Sequence, residues 1–306
     1  QLKIAFWIDT LQADIDVDVR RALKEIEALN MNMEIEYTII VIQNEQLNVK
    51  TNLEKFCERL GNDGVSVVID FTYNVWRDGL DLLRNFHIPF LRVDRILSPF
   101  LQMLSKFVKE KSGHECIMLF QNARDTEEAV IQIIEGYGFP TLVLNAFDER
   151  DFVKRMQQLR PTPSCYAIYA GGMVMNTIFD KIAKANFFQR PREWHFIYLD
   201  TRDRVFKSKN MVTHATKFTI NPKTLCNALK MKDSYCLSDE FSFQRAMIFE
   251  ILRGLIEIKQ KYMNWLQPLV MECNGTTSYE NASIGFDILE QFPLSDFLRF
   301  TTDVKY

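Results

Sequence analysis

No long apolar run is present in this sequence. Its most hydrophobic extended stretch, Ala246–Ile258, is interrupted by Glu250, Arg253 and Glu257 and falls short of the roughly 20 apolar residues that a membrane-spanning helix needs. A surplus of positive charge is missing too. Lys and Arg total 37 against 40 Asp and Glu, for a formal charge of -3, so there is no basic field to draw in nucleic acid. Histidine is scarce, with four residues scattered at 87, 114, 195 and 214. In the absence of any CxxC or HxxxH pair this gives no reason to expect a zinc site. Neither GxGxxG nor GxxxxGK[ST] occurs, and Tyr169-Ala170-Gly171-Gly172 reads as a tight strand-to-helix turn and not a phosphate loop. Asp9, Asp14, Asp16 and Asp18 lack the glycine and the terminal glutamate of an EF-hand, which leaves a solvated acidic loop that starts a helix. No nucleophile, base and oxyanion donor set can be assembled. Enzyme activity, metal and cofactor are therefore not expected.

What is present is a doubled α/β program. At 306 residues and 47% hydrophobic content the chain suffices for two ordinary domains. Leu2–Ile8 and Glu34–Ile42 are rich in β-branched and aromatic residues, and Val17–Leu29 between them carries Leu23, Ile26 and Leu29 at helical spacing. A helix at Val49–Leu60, a strand at Val65–Phe71, a helix at Val75–Phe86 and a strand at Pro89–Val93 complete the first series. Val65–Phe71 is nearly continuously apolar, as a parallel strand covered on both faces must be. After Ser98-Pro99 and a helix at Phe100–Lys111 a second series follows. It has strands at Cys116–Phe120, Thr141–Leu144, Ser164–Tyr169 and Trp194–Leu199, with helices at Thr126–Tyr137, Glu149–Leu159 and Val174–Ala185 between them. Two βα series predict two mostly parallel sheets flanked by helices, with a hinge near Leu97–Phe100. The helices expected at Phe241–Met263 and Phe286–Phe300 cannot form a core alone and are assigned back to the first lobe. The predicted division is residues 1–97 with 221–306 as a discontinuous first lobe, and 98–220 as the second.

Six cysteines, at 57, 116, 165, 226, 236 and 273, allow 15 full pairings. Cys226 and Cys236 flank a short polar loop, which leaves a local bridge or two free thiols open. Cys116 and Cys165 fall in buried strands, where a free thiol behaves as a small apolar group, and both are expected to be reduced. Asn274-Gly-Thr276 and Asn281-Ala-Ser283 are N-glycosylation sequons in a polar loop. Gln1–Ile8 already reads as a strand with no basic n-region ahead of it, so any signal peptide is expected to have been removed.

The segment Phe56-Cys57-Glu58-Arg59-Leu60 followed by Val65–Phe71 resembles the helix ending in a cysteine, and the next strand, of amino-terminal domains in ionotropic glutamate receptors. The similarity continues through Cys116–Asp125 and the helix Phe241–Lys261 with a cysteine shortly downstream, in matching order and spacing along nearly the whole chain. Lys3–Ile8 has no glycine, where vertebrate AMPA- and kainate-type domains carry one early in the first strand. With Trp194-His195, this is more similar to the invertebrate chemosensory ionotropic receptors, in particular co-receptors that keep a full amino-terminal domain. The resemblance implies a two-lobed clamshell of the type I periplasmic-binding-protein kind. It also implies a Cys57–Cys273 disulfide, a place on the extracellular side of the plasma membrane as the ectodomain of a parent channel, and no catalysis.

Two readings of function follow. In the first, the domain pairs with a homologous or identical receptor subunit through first-lobe helices and thereby directs assembly and trafficking. The apolar stripes Leu53 and Phe56, and Trp76, Leu80, Leu83 and Phe86 are the interface candidates, most of each stripe being core and Trp76 and Phe86 the expected exposed anchors. In the second, the interlobe cleft senses a small amino-acid-like ligand. Because doubly wound sheets bind ligands beyond the carboxyl ends of their strands, the cleft candidates are Thr72, Tyr73, Asn74, Arg92, Asp94, Arg95, Gly171, Gly172 and Asp200.

Overall fold

The computed structural model describes residues 1–9, 15–29, 33–42, 49–61, 64–72, 75–95, 101–103, 106–107, 110, 116–120, 123–132, 141–145, 152–170, 172–189, 192–198, 214–219, 221–236, 242–262, 266–270 and 302–305. Contacts divide the chain into two compact units. The first is Gln1–Arg95 with Gln244–Tyr306, and the second is Ile96–Phe243. The chain leaves the first unit close to the expected position, but it returns at Gln244 and not at 221.

In the first unit, strands β1 (Leu2–Asp9), β2 (Ile35–Ile42), β3 (Val67–Asp70) and β4 (Phe90–Arg95) alternate with helices α1 (Ile15–Glu27), α2 (Val49–Leu60) and α3 (Arg77–Asn85). The strands are parallel, and the sheet runs β2-β1-β3-β4 before ending in an antiparallel fifth strand, β10 (Thr302–Lys305). Pairing of β10 with the second half of β4 covers what would otherwise be an open row of backbone donors and acceptors.

Residue alternation along β1 sends its side chains to two covered faces. Ala5 and Trp7 join a cluster with Phe56 and Leu60 of α2, Leu80 and Leu83 of α3, and Val68 and Phe90 of the neighbouring strands. Its centre is an aromatic triad, with Trp7 5.5 Å from Phe56 and 5.0 Å from Trp76 between ring centroids. Burial of each such ring contributes about 1.5–3 kcal/mol. The alternate residues Ile4, Phe6 and Ile8 are also buried. Elsewhere in this unit a buried ion pair joins Glu25 of α1 to Arg245 of the long helix Phe243–Lys261.

The second unit contains β5 (Cys116–Phe120), α4 (Ala123–Gln132), β6 (Thr141–Asn145), α5 (Phe152–Gln158), β7 (Cys165–Ala170), α6 (Gly172–Lys184), β8 (Glu193–Tyr198) and β9 (His214–Thr219). All five strands are parallel, in the order β6-β5-β7-β8-β9. One face of this sheet is filled by Tyr166, Trp194 and Phe196 packed on Phe179, Phe187 and Phe188, with Tyr166 stacked on Trp194 at 4.7 Å. The other face carries Cys116, Met118, Phe120, Cys165, Ala167, Tyr169 and Ile197.

Helices α7 (Pro222–Leu229) and α8 (Asp233–Cys236) close the second unit before the long helix, α9 (Phe243–Lys261). Residues of α7 and α8 were expected in the first lobe, and the contacts instead place them in the second. Helix α7 has complete end chemistry. The Asn221 side chain accepts from the Lys223 and Thr224 amides at 2.9 and 3.2 Å, Pro222 occupies the first turn, and Lys230 turns left-handed at the far end. The final helix expected at Phe286–Phe300 lies outside the described residues.

Candidate functional site

Within each unit the first strand of the series lies between the second and the third. This is the doubly wound 2-1-3-4-5 order, in which the crevice for ligands opens at the carboxyl ends of the first and third strands. In the first unit the relevant ends belong to β1 and β3.

The residues at the end of β3 and in β4 interact with one another. The Arg92 guanidinium donates to the Asp70 carboxylate and also to Thr72 Oγ1 at 3.2 Å and the Thr72 carbonyl at 3.1 Å. The other Asp70 oxygen accepts from the Thr72 amide at 2.9 Å and its hydroxyl at 2.6 Å. All three residues are at most 2% exposed. Burial pushes the Asp70 carboxyl above its ordinary value, and the Arg92 charge and the Thr72 hydrogen bonds pull in the opposite direction. Thr72 and Arg92, expected as ligand contacts, thus belong to a buried network that ties β3 to β4. The physical reason is direct: β3 and β4 are paired with Asp70 opposite Arg92, so the nearest anion for the guanidinium is its own strand neighbour. Asp94 and Arg95 are in β4, register partners of Asp303 and Thr302 in β10, and Gly172 is the first residue of α6. Tyr73, Asn74, Gly171 and Asp200 lie outside the described residues.

The interface candidates divide by burial. Phe56 and Leu83 are fully covered, Trp76 and Leu80 are 7% exposed, and Phe86 packs partly buried against the same cluster. Trp76 is therefore a core residue and not the exposed anchor expected, because its ring fills the space between Trp7 and Phe56. Leu53 is 39% exposed, and Val75, not singled out from the sequence, is similarly open.

The cysteines correct one expectation. Cys116 and Cys165, expected to be reduced, are joined by a disulfide with Cα atoms 4.5 Å apart. They are register partners on the adjacent strands β5 and β7, so both thiols project from the same face at the same level. Their common position was readable in advance, since each opens its strand and a 2-1-3 order makes those strands neighbours. Cys226 and Cys236 form the local bridge. Cys57 is disulfide-bonded as well; Cys273, the partner the resemblance implies for it, lies outside the described residues, as do the sequons at Asn274 and Asn281.

Beside the Cys116–Cys165 bridge is His195, which in the sequence is one of four scattered histidines and part of the family resemblance. It is 3% exposed, and burial holds its imidazole below the ordinary value, against the opposing pull of Glu193. This group sits at the amino ends of β5 and β7, the end opposite to that of the doubly wound ligand crevice.

The fold class these units define is α/β, with two helix-flanked, mainly parallel sheets. No family model matches the chain, and no curated protein does. No helix among the described residues is long and apolar enough to cross a membrane.

Proposed function

We propose that the chain is the amino-terminal domain of a receptor subunit in the ionotropic glutamate receptor family, lying on the extracellular side of the membrane. In this reading it acts by pairing subunits and supporting assembly and trafficking, without catalysis. The observation that carries the proposal is the pair of 2-1-3-4-5 units, the first interrupted by the second and resumed at α9. Two further features support it. Cys57, on the helix whose cysteine the resemblance pairs with a distant one, is disulfide-bonded, and the two described disulfides fit an oxidising compartment. Engagement of Arg92 and Thr72 with Asp70 weighs against the alternative, an amino-acid sensor that uses these groups to hold a ligand.

The test is sedimentation velocity of the purified chain at roughly tens of micromolar, where pairing with a micromolar Kd is largely complete. A dimer is expected, and Leu53→Glu should convert it to a folded monomer. A monomeric wild-type chain overturns the proposal. Thermal-shift measurements with free amino acids address the sensor reading, since a ligand at about 100 times its Kd adds about 2.7 kcal/mol. A shift in that assay would replace subunit pairing by ligand sensing as the domain's role.

A further inference from the structure

The second unit contains a cluster that the receptor reading does not use. Cys116 and Cys165 stand opposite each other on β5 and β7. One strand further on, His195 is the register partner of Ala167, two residues along β7 from Cys165, so the alternation of side chains puts all three on one face. Their ligand atoms, two sulfurs and an imidazole nitrogen, lie within 4.8 Å of one another, and all three residues are buried. Among the described residues neither ring nitrogen of His195 has a hydrogen-bond partner. The Glu193 carboxylate approaches Nε2 only to 3.9 Å, beyond hydrogen-bond reach. Leaving a buried polar group without a partner is unfavourable and calls for a physical reason. The walls are apolar: Phe107 meets the imidazole edge to face at 5.3 Å and Phe218 at 5.0 Å, and Leu101, Met118, Ala167 and Ile197 belong to the same cluster.

We propose that, when a low-molecular-weight thiol opens the Cys116–Cys165 disulfide, the two sulfurs and one His195 nitrogen become a closed three-coordinate site for Cu⁺. Two reductant thiols supply two electrons and two protons and leave as their own disulfide, so that Cys116 and Cys165 become thiols. Cu⁺ then displaces both thiol protons to solvent, and His195 binds through a neutral nitrogen without losing a proton. The donor set decides the metal. Thiolates select soft cations, chiefly Cu⁺ and Zn²⁺, but protein-bound zinc in a closed site takes four ligands. Among the described residues the side chains packed on the three are chiefly aromatic and aliphatic; Met118 adds a thioether, a soft donor that suits Cu⁺, and the Glu193 carboxylate, 3.9 Å from His195 Nε2, is partly exposed. The site lies wholly within the second unit and does not depend on the receptor reading.

The full chain, reduced anaerobically with a water-soluble phosphine and freed of it, is titrated with Cu⁺ against a bathocuproine competitor while circular dichroism monitors folding. The comparison chains are the pair Cys116→Ser/Cys165→Ser and the single variant His195→Gln, treated identically so that uptake by the other four cysteines cancels. Reduced wild type is expected to take up one more equivalent than the double-serine variant, and the unreduced chain to lack it. His195→Gln should weaken that equivalent by at least about tenfold, the lower range seen when the shell around a metal is altered. Equal uptake by wild type and the double-serine variant overturns the proposal, as does tight binding by His195→Gln. Loss of folded structure on reduction also overturns it, because the site needs β5, β7 and β8 in register. Equal occupancy by Zn²⁺ in a parallel competition would refute the three-coordinate assignment.

Discussion

Replacing Arg92 by Met tests whether this arginine serves a ligand or the fold. A ligand-binding arginine at a crevice mouth is tolerant of replacement as far as stability goes, since water solvates what remains. Arg92 instead donates to Asp70 and Thr72 while 2% exposed. Its removal leaves the Asp70 carboxylate buried with only the Thr72 amide and hydroxyl. Removing one member of a buried pair costs about 3–5 kcal/mol, whereas replacing both members with apolar groups of similar volume is often neutral or stabilising. Arg92→Met should therefore lose about 3–5 kcal/mol in urea unfolding at pH 7, read as a lower midpoint at unchanged m, and Asp70→Leu/Arg92→Met should recover most of it. The pH dependence has a definite sign. Burial already raises the Asp70 pKa in the folded chain above the ordinary 3.8, and without the Arg92 charge it rises further. The folded variant then holds a proton that the unfolded chain has released, so its stability falls as pH rises from 3.8 through the folded value. The gap to wild type should accordingly narrow on acidification. Wild-type stability of Arg92→Met at pH 7, or an equal gap at all pH values, would refute the assignment of Arg92 to the fold.

Two further substitutions probe local packing. Gly79 is in α3, where glycine to alanine ordinarily gains about 1 kcal/mol, but a Cβ at this position would overlap the Trp76 ring, which Trp7 and Phe56 hold in place. Gly79→Ala should thus destabilise, by about 1–3 kcal/mol as overpacking does, in thermal or urea unfolding; a stabilised variant would show that the aromatic triad can shift. Asn221→Ala removes the cap that receives the Lys223 and Thr224 amides and should cost about 1 kcal/mol in the same assay, with no effect on the sedimentation of the folded chain.

The doubled βα program was legible because parallel strands covered on both faces leave near-continuous apolar runs. Cys116–Phe120 and Val49–Leu60 coincide with their expected limits, and the other strands of both series shift by only a residue or two. What escaped depends on partners distant in sequence. Thr302-Asp303-Val304-Lys305 is too short and polar to read as a strand, and becomes one through antiparallel pairing with β4. Helix α7 does carry a local signal, Asn221-Pro222 at its start. Trp76, the residue before α3, is an anchor candidate only through the resemblance, whose members pair through helices at this position. Its burial depends on Trp7, a residue of β1 that no helical periodicity connects to it.

Arg92 and the Cys116–Cys165 pair expose the same gap in two forms. Each was judged by what its residue type does in isolation: an arginine near a strand end as a ligand contact, a cysteine in an apolar strand as a small hydrophobe. Strand register decides otherwise, since it puts Asp70 opposite Arg92 and Cys116 opposite Cys165. A 2-1-3-4 order makes the first and third strands neighbours, and likewise the third and fourth, so both pairs could have been sought once two βα series were recognised. The carboxyl end of β3 consequently carries a buried, paired charge network, while the unit's open apolar side chains include Leu53 on α2 and Val75 just ahead of α3. Paired buried charges tie neighbouring strands together, whereas uncovered leucine and valine favour association with another surface. That contrast is the physical basis for assigning recognition to the outer helices in preference to the strand ends.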